Sequence, residues 1–296
     1  MKPAPSCHVP LHRLFTRQLG ASSLRLTPSK LASSHKALSL LLAIGLGLAS
    51  GCGGDEPQLP GVRALHVLPG GSSDTDSTDF FALPFPSDLR LLPSTPSPTQ
   101  PGPPSAAELQ KGYDLTRFRR TRGQPAKYVE LLHGQIAGAG MNAAVYFRFA
   151  GPLNPASLPA SAADTLREGA TAYVVDVTPG SPTFGQRSPM LVKFHAEGNR
   201  FIDDNWLSLQ PVPGLPLRQK TTYAAILTTG LKALTGGGLA QDPDLARLLA
   251  SESPTAEPYK TAWLRYAPLR SYLMQHREDV GAATVFTTQD ATSIMT

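Results

Sequence analysis

The sequence predicts a mainly β protein built on an antiparallel sandwich, with an N-terminal extended strap and a C-terminal helical pair. The central observation lies in residues 206–240, where Leu207 and Leu209 alternate with polar residues and Tyr223 begins a second alternating run. Prolines and glycines separate the two runs, and three consecutive glycines follow them. Alternation with a period of two, bounded by such residues, predicts two half-buried strands and a flexible turn. Helical spacing of leucines near the C-terminus predicts the helical pair.

Residues 1–51 have the composition of a lipoprotein signal peptide. They carry no acidic residue and six basic residues, namely Lys2, Arg13, Arg17, Arg25, Lys30 and Lys36. An uncharged apolar run, ALSLLLAIGLGLASG, follows the last of these. It is shorter than the roughly 20 residues of a comfortable membrane span, and it matches the hydrophobic region of an export signal. The alternatives are an ordinary secretory peptide and an N-terminal transmembrane anchor.

The end of the apolar run predicts a lipid attachment site. Small residues precede a cysteine in Leu48-Ala49-Ser50-Gly51-Cys52, and this run resembles the lipobox of bacterial lipoproteins. The resemblance implies cleavage between Gly51 and Cys52 and attachment of a diacylglycerol to the Cys52 thiol. Residues 52–62 then form a polar tether. An Asp after the cysteine retains enterobacterial lipoproteins at the inner membrane, so Gly53 is permissive for export to the outer membrane. We expect the outer membrane or cell surface of a bacterial envelope.

Removal of the leader changes the charge of the chain. The whole sequence has 27 Lys and Arg residues against 22 Asp and Glu residues, a formal net charge of +5. Subtracting the six leader cations leaves 21 basic residues against the same 22 acidic residues, so the mature chain is nearly neutral. This balance gives no indication of nucleic-acid binding. Because Cys7 leaves with the leader and Cys52 is acylated, we expect no disulfide and no cysteine metal site. We also expect no other metal site, no cofactor and a monomeric chain.

Residues 63–141 are predicted to be extended and rich in loops. Pro84-Phe85-Pro86 favours an extended strap, because proline restricts its own φ and biases the preceding residue away from helix. Phe80 and Phe81, together with Phe85, would anchor the strap on a sheet face. The Pro/Ser-rich residues 93–105 predict an exposed loop. A short helix is expected from Ala126 to Gly134, which would end it.

Two charged stretches of this region have a functional and a structural interpretation. Asp74, Asp76 and Asp79 resemble the start of a calcium loop, but Asp79 and Phe85 occupy positions where such a loop has Gly and Glu. A solvated acidic loop is therefore expected. Four arginines between Tyr113 and Gly123, beside aromatic residues, are a pattern found in RNA or phosphate binding. We expect a solvated face there, with lipid headgroup contact as the second interpretation.

Residues 142–240 contain about six predicted strands. In the first, Val145, Phe147 and Phe149 lie on one face of the strand. The others are Ala172 to Val177, Met190 to His195, a strand from Phe201 after a Glu197-Gly198-Asn199 turn, and the pair within 206–228. These spacings are typical of an Ig-like sandwich.

Residues 241–296 change to helical patterning. Asp242-Pro243 is a suitable helix start, with Asp as N-cap and Pro at the first helical position. A second helix is predicted from Glu257 to Gln275, and Pro268 inside it should kink or split it. A terminal strand is predicted from Ala282 to Thr288.

Two resemblances agree with this division. The run VYFRFAGPLNPASLP and the later run PLRQKTTYAAIL resemble bacterial Ig-like domains of surface proteins. The matching positions are Phe149, Pro152, Leu153, Asn154, Pro155, Ser157, Leu158, Pro216, Leu217, Thr222 and Tyr223. An acidic turn residue of that pattern is replaced within Leu234-Thr235-Gly236. The order FALPFPSDLR, Ig-like region, helices and AATVFTTQD resembles the N-terminal region of bacterial virulence-factor lipase lipoproteins, in which an α/β-hydrolase domain follows.

No catalytic motif accompanies these resemblances. The sequence has no G-x-S-x-G nucleophile elbow, no H-E-x-x-H and no P-loop. Its mature histidines, His66, His133, His195 and His276, are widely separated, and the last two are expected at element ends as surface or cap residues. We therefore expect no catalytic residue and a non-catalytic accessory or binding module, whose partners are the membrane and a hydrolase domain or surface ligand. The alternative is a truncated N-terminal portion of an extracellular lipase or esterase.

Overall fold

The computed structural model describes residues 61–75, 79–93, 110–118 and 123–292. These residues are mainly β, with eleven strands and four α-helices. The strands are β1 (Val62–Arg63), β2 (Leu91–Pro93), β3 (Gln110–Tyr113), β4 (Val145–Arg148), β5 (Ala172–Asp176), β6 (Arg187–Ser188), β7 (Met190–His195), β8 (Trp206–Pro211), β9 (Thr222–Thr228), β10 (Leu239–Ala240) and β11 (Val280–Thr287). The helices are α1 (Gln124–Leu132), α2 (Pro243–Leu249), α3 (Tyr259–Arg265) and α4 (Ala267–His276).

Two antiparallel sheets carry most of the strands. The larger has four strands in the order β6-β5-β9-β11, and the smaller has three in the order β4-β8-β7. The remaining strands form two pairs: β1 with β10, which is parallel, and β2 with β3. The sheets are open. The mainly β prediction is confirmed at this level.

The inner faces of the two sheets share one hydrophobic core. Phe147 of β4 and Leu207 of β8 lie opposite each other in register and are completely buried. They belong to the same apolar cluster as Val174 of β5, Leu227 of β9 and Phe286 of β11. Burial of apolar area on this scale is the main favourable contribution to folding. The alternation predicted for β4 and β8 is confirmed, since alternate residues in both strands face this core.

Helices α2, α3 and α4 cover the opposite face of the four-stranded sheet. Tyr173 and Ile226, on that face, share a second cluster with Leu248 of α2 and Leu269 of α4. The prediction that β9 is half-buried is therefore wrong: Ala224 and Ile226, on its supposedly exposed side, are fully buried. The strand is apolar on both faces because both faces are covered, as in sheets enclosed between layers.

The helix boundaries follow capping and proline rules. The Asp242 carboxylate accepts a hydrogen bond from the Asp244 amide and caps α2, as predicted. The second predicted helix is split into α3 and α4, and Pro268 occupies the first turn of α4, where its missing N–H costs nothing. Gly134, with φ of +72°, follows α1 in the left-handed conformation that glycine adopts without strain.

One predicted strand does not form. Phe201 begins a bend instead of a strand, because the Asn199 side chain accepts hydrogen bonds from the amides of Phe201 and Ile202. The backbone then passes through Asn205 at φ of +61° before β8 begins at Trp206. Asx turns of this kind compete with strand pairing.

The predicted strap runs along the β4 edge of the smaller sheet. Phe85 exchanges backbone hydrogen bonds with Tyr146 of β4. Phe80 and Phe81 form an aromatic cluster with Phe85 and Phe118. The anchoring role predicted for these phenylalanines is confirmed. Short 3₁₀ turns at Phe80–Ala82 and Asp88–Arg90 bracket the extended part of the strap.

Replacing Leu248 with Ala tests the helical layer. Leu248 is fully buried against the four-stranded sheet, and we expect a loss of ~2–5 kcal/mol in the free energy of unfolding. The matched control is Leu264→Ala on α3, whose side chain is 57% exposed and whose loss should change stability by less than about 0.5 kcal/mol. Chemical denaturation of a purified protein of residues 53–296 measures both. Equal effects at the two positions would contradict the described packing of α2.

Candidate functional site

The predicted lipid site lies outside the described part of the chain. Gly51 and Cys52 precede residue 61, where that description begins. The acidic stretch is described at Asp74 and Asp79, while Asp76 is not. Each described carboxylate contacts an arginine: Asp74 pairs with Arg117 at 2.6 Å and Asp79 with Arg148 at 2.6 Å. These contacts tie the loop to the strap region and the smaller sheet.

The four histidines of the described residues lie in four different environments. His195, the last residue of β7, stacks on the Trp206 ring with centroids 3.8 Å apart. His276, the last residue of α4, has Nδ1 3.0 Å from the Tyr272 carbonyl oxygen. Both positions agree with the element ends predicted for them. His133 follows α1, and its Nδ1 accepts a hydrogen bond from the Leu115 amide. His66 is buried.

A largely buried polar cluster connects the strap to β11 and to the junction of α3 and α4, and the sequence did not reveal it. Its members, which we call the strap latch, are His66, Ser87, Asp88, Tyr266 and Thr287. The Asp88 carboxylate accepts hydrogen bonds from the Thr287 amide at 2.9 Å and from the Thr287 hydroxyl at 2.8 Å. His66 Nε2 lies 2.9 Å from the Tyr266 hydroxyl. Ser87 caps the 3₁₀ turn at the Leu89 amide, which is the role predicted for it.

Burial shifts the two titratable groups of the strap latch in opposite directions. Burial lowers the pKa of His66 to about 4, although its own backbone and Asp244 partly oppose the shift. Burial raises the pKa of Asp88 to about 6, against the two hydrogen bonds from Thr287 and the charge of Arg265. Arg265 lies beside Asp88 and donates to the carbonyl oxygens of Asp88 and Leu91. These groups are enclosed, and their hydrogen bonds hold the strap against the sheet.

An open cleft of about 460 Å³ lies where α4 ends beside β6. Arg187 spans it: its guanidinium lies 3.7 Å above the Tyr173 ring and forms a 2.8 Å ion pair with Glu278. The Tyr173 hydroxyl donates to the other Glu278 oxygen. Burial is the main cause that raises the pKa of Tyr173, and this hydrogen bond raises the pKa further. His276 completes the cleft and stacks on Tyr272 at 4.0 Å. The charged atoms of the cleft mainly bind one another.

Helix α1 carries three exposed apolar side chains beside a groove. No residue of its nine is buried. Tyr128, Leu131 and Leu132 are 64%, 70% and 44% exposed. We call these three side chains and Lys127 the α1 surface. A groove of about 440 Å³ lies behind it, between α1 and residues 115–118, with Ala126 and Val129 in its wall. Exposed apolar groups gathered on one element are characteristic of interaction surfaces.

The opposite pKa shifts predict a compensated pH dependence of stability. Between pH about 4 and 6.5 the unfolded state binds a proton at His66 that the folded state excludes, so this group makes stability rise with pH by ~3 kcal/mol. Between pH 3.8 and about 6 the folded state retains the Asp88 proton that the unfolded state has lost, so stability falls with pH by ~3 kcal/mol.

Substitution of either residue alone should reveal the contribution of the other to the pH dependence of stability. Asp88→Asn keeps the shape of the side chain and removes the falling contribution, so stability should rise more steeply from pH 4 to 6.5 than in the parent. His66→Gln removes the rising contribution, so the free energy of unfolding should fall as the pH increases from 4 to 6.5. Denaturation midpoints measured at half-unit pH steps give both slopes. Parallel pH profiles for the parent and both variants would contradict the burial of these groups.

Two comparisons with known proteins found no match. No family model matches the chain, and no curated protein matches it significantly. Among the described residues, no three or more His, Cys, Asp or Glu side chains are grouped so that they could bind a metal ion. Nor does any helix in the same residues combine the length and apolar character needed to cross a bilayer.

Proposed function

We propose that this protein is an exported lipoprotein of a bacterial envelope, anchored through Cys52 after cleavage at Gly51. The observation that carries the proposal is the order of the first 52 residues: a basic stretch, an uncharged apolar run, and then small residues immediately before a cysteine. Gly53 favours the outer membrane or cell surface. The acyl chains would make the membrane the first partner of the chain.

The mature part is proposed to act as a non-catalytic accessory or binding module. Residues 142–240 would be its Ig-like sandwich. The two antiparallel sheets that share one core support a sandwich, and the larger sheet also includes β11 from beyond that range. The polar groups that could suggest chemistry support it too, since His66, Asp88 and Tyr266 are enclosed and hydrogen-bonded within the strap latch. Its protein partner would be a hydrolase domain or surface ligand, bound by a monomer, with no role in nucleic-acid binding.

The second candidate is the N-terminal portion of an extracellular lipase or esterase. The observation that favours it is the FALPFPSDLR segment, whose resemblance to lipase lipoproteins covers the strap. Within this chain, Phe85 and Asp88 of that segment serve packing and hydrogen bonding to the two sheets. In this interpretation the strap region supports a hydrolase domain, and the chemistry belongs to that domain.

Lipidation is tested by replacing Cys52 with Ser in cells supplied with radiolabelled fatty acid. The Cys52→Ser chain should lose the label and accumulate uncleaved, since both reactions need the thiol. Cys7→Ser is the matched control and should be labelled and processed like the parent. Gel autoradiography and membrane fractionation provide the measurement. Equal labelling of the parent and the Cys52→Ser chain would refute the anchor.

The absence of ester hydrolysis is tested on the purified mature protein. Acyl transfer requires an activated nucleophile and donors aimed at the developing oxyanion. We expect short-chain p-nitrophenyl esters to be turned over no faster than by a heat-denatured sample. Turnover above that background that a serine-directed phosphonate abolishes would contradict the non-catalytic assignment.

A further inference from the structure

Helix α1 contributes little to the core of the fold. All nine of its residues are at least partly exposed, and Leu131 is 70% exposed although leucine is one of the residues most often buried. Helices this short are marginal on their own and depend on packing for stability. The exposed apolar side chains of α1 are therefore available for contact with another molecule.

The two sides of α1 differ in chemistry. Successive residues of a helix are about 100° apart, and Ala126, Val129 and Glu130 line the groove on the side facing the body. The opposite side carries the α1 surface, in which Leu131 and Tyr128 lie between Lys127 at one edge and Leu132 at the other. Lys127 is exposed, and the exposed Glu130 lies next to it toward the groove. The outward side is thus apolar and aromatic, with a lysine at its edge.

The sequence extends this positive charge toward the start of the helix. Arg119, Arg120 and Arg122 lie in the four residues before Gly123, outside the described residues, and no acidic residue accompanies them. A basic flank beside an apolar and aromatic face is complementary to an anionic lipid surface. Lys and Arg are attracted to acidic headgroups, tyrosine favours the headgroup level, and leucine enters the boundary with the acyl chains.

We propose that the α1 surface lies against the anionic lipid surface of the membrane to which Cys52 tethers the chain. The inference rests on the proposed lipid anchor and adds the orientation of the module on its membrane. A lipid anchor alone leaves that orientation free, whereas a second, weak contact selects one face. Leu131 and Tyr128 enter the interface, and Lys127 pairs with headgroup phosphates. The sheets and the cleft at Arg187 stay outside the bilayer.

A single labelled cysteine tests this contact in the intact lipoprotein. After processing, Cys52 is acylated and the mature chain has no other cysteine, so Leu131→Cys can be labelled alone with an environment-sensitive fluorophore. Met274→Cys on α4 is the control, since Met274 is 75% exposed and outside the α1 surface. Each labelled protein is reconstituted into phosphatidylcholine vesicles containing phosphatidylglycerol and spin-labelled lipid.

The expected result is a blue-shifted emission at position 131 and loss of most of its fluorescence to the spin-labelled lipid. Position 274 should show neither. Lys127→Glu should reduce the quenching at position 131, as should pure phosphatidylcholine or high salt, because the attraction is electrostatic and screened. Lys260→Glu, an exposed lysine on α3, is the charge control and should change nothing.

Flotation of the same vesicles separates this inference from the anchor. If the protein floats and position 131 is quenched no more than position 274, the α1 contact is overturned and the anchor stands. If the protein fails to float, the anchor is overturned and the α1 contact with it. A blue shift at position 131 without lipid quenching would mean that a protein, or a second copy of this chain, covers α1, which also overturns the lipid contact.

Discussion

The fold depends on a four-stranded sheet that is apolar on both faces. Strand β9 pairs with β5 on one side and β11 on the other, so its backbone hydrogen bonds are satisfied within the sheet. Its side chains alternate between two hydrophobic cores, with Leu227 facing the smaller sheet and Ile226 facing the helices. Neither layer can be removed without exposing a complete apolar face. The order of sheet, sheet and helices follows from this requirement.

The edge of that sheet explains why the strap carries buried polar groups. Strand β11 lies at the edge, and exposed edges pair readily with other chains. Here the Thr287 amide donates to Asp88, the Thr284 hydroxyl donates to the Pro86 carbonyl, and the Ala139 amide donates to the Thr287 carbonyl. The strap and Ala139 thus bind polar groups along the β11 edge. Burying a carboxylate there costs free energy, which appears as the raised pKa of Asp88.

Local signals predicted much of this architecture, and two of the failures have a common physical cause. Alternation located Met190–His195, and capping and proline chemistry located α2 and the split at Pro268, because each depends on neighbours in sequence. The second buried face of β9 depends on helices that follow it in the chain, and alternation between Ala224 and Ala225 does not reveal which face is covered. Asp88 looked like a turn residue, since its burial depends on Thr287, 199 residues later. The lipid site at Cys52 remains a prediction from sequence alone.

The attachment of α1 to the body explains how its outer side can serve a purpose other than folding. The helix is held at its C-terminal end, where the Gly134 amide donates to the Tyr113 carbonyl and the Leu115 amide donates to His133 Nδ1. At the other end Gly123 precedes the helix with φ of +69° and no side-chain cap. Backbone hydrogen bonds and the groove-side residues therefore position the helix, and Tyr128 and Leu131 are not needed for that purpose. The exposed apolar side chains gathered on α1, with a lysine at their edge, are the observation on which the proposed contact outside the fold rests.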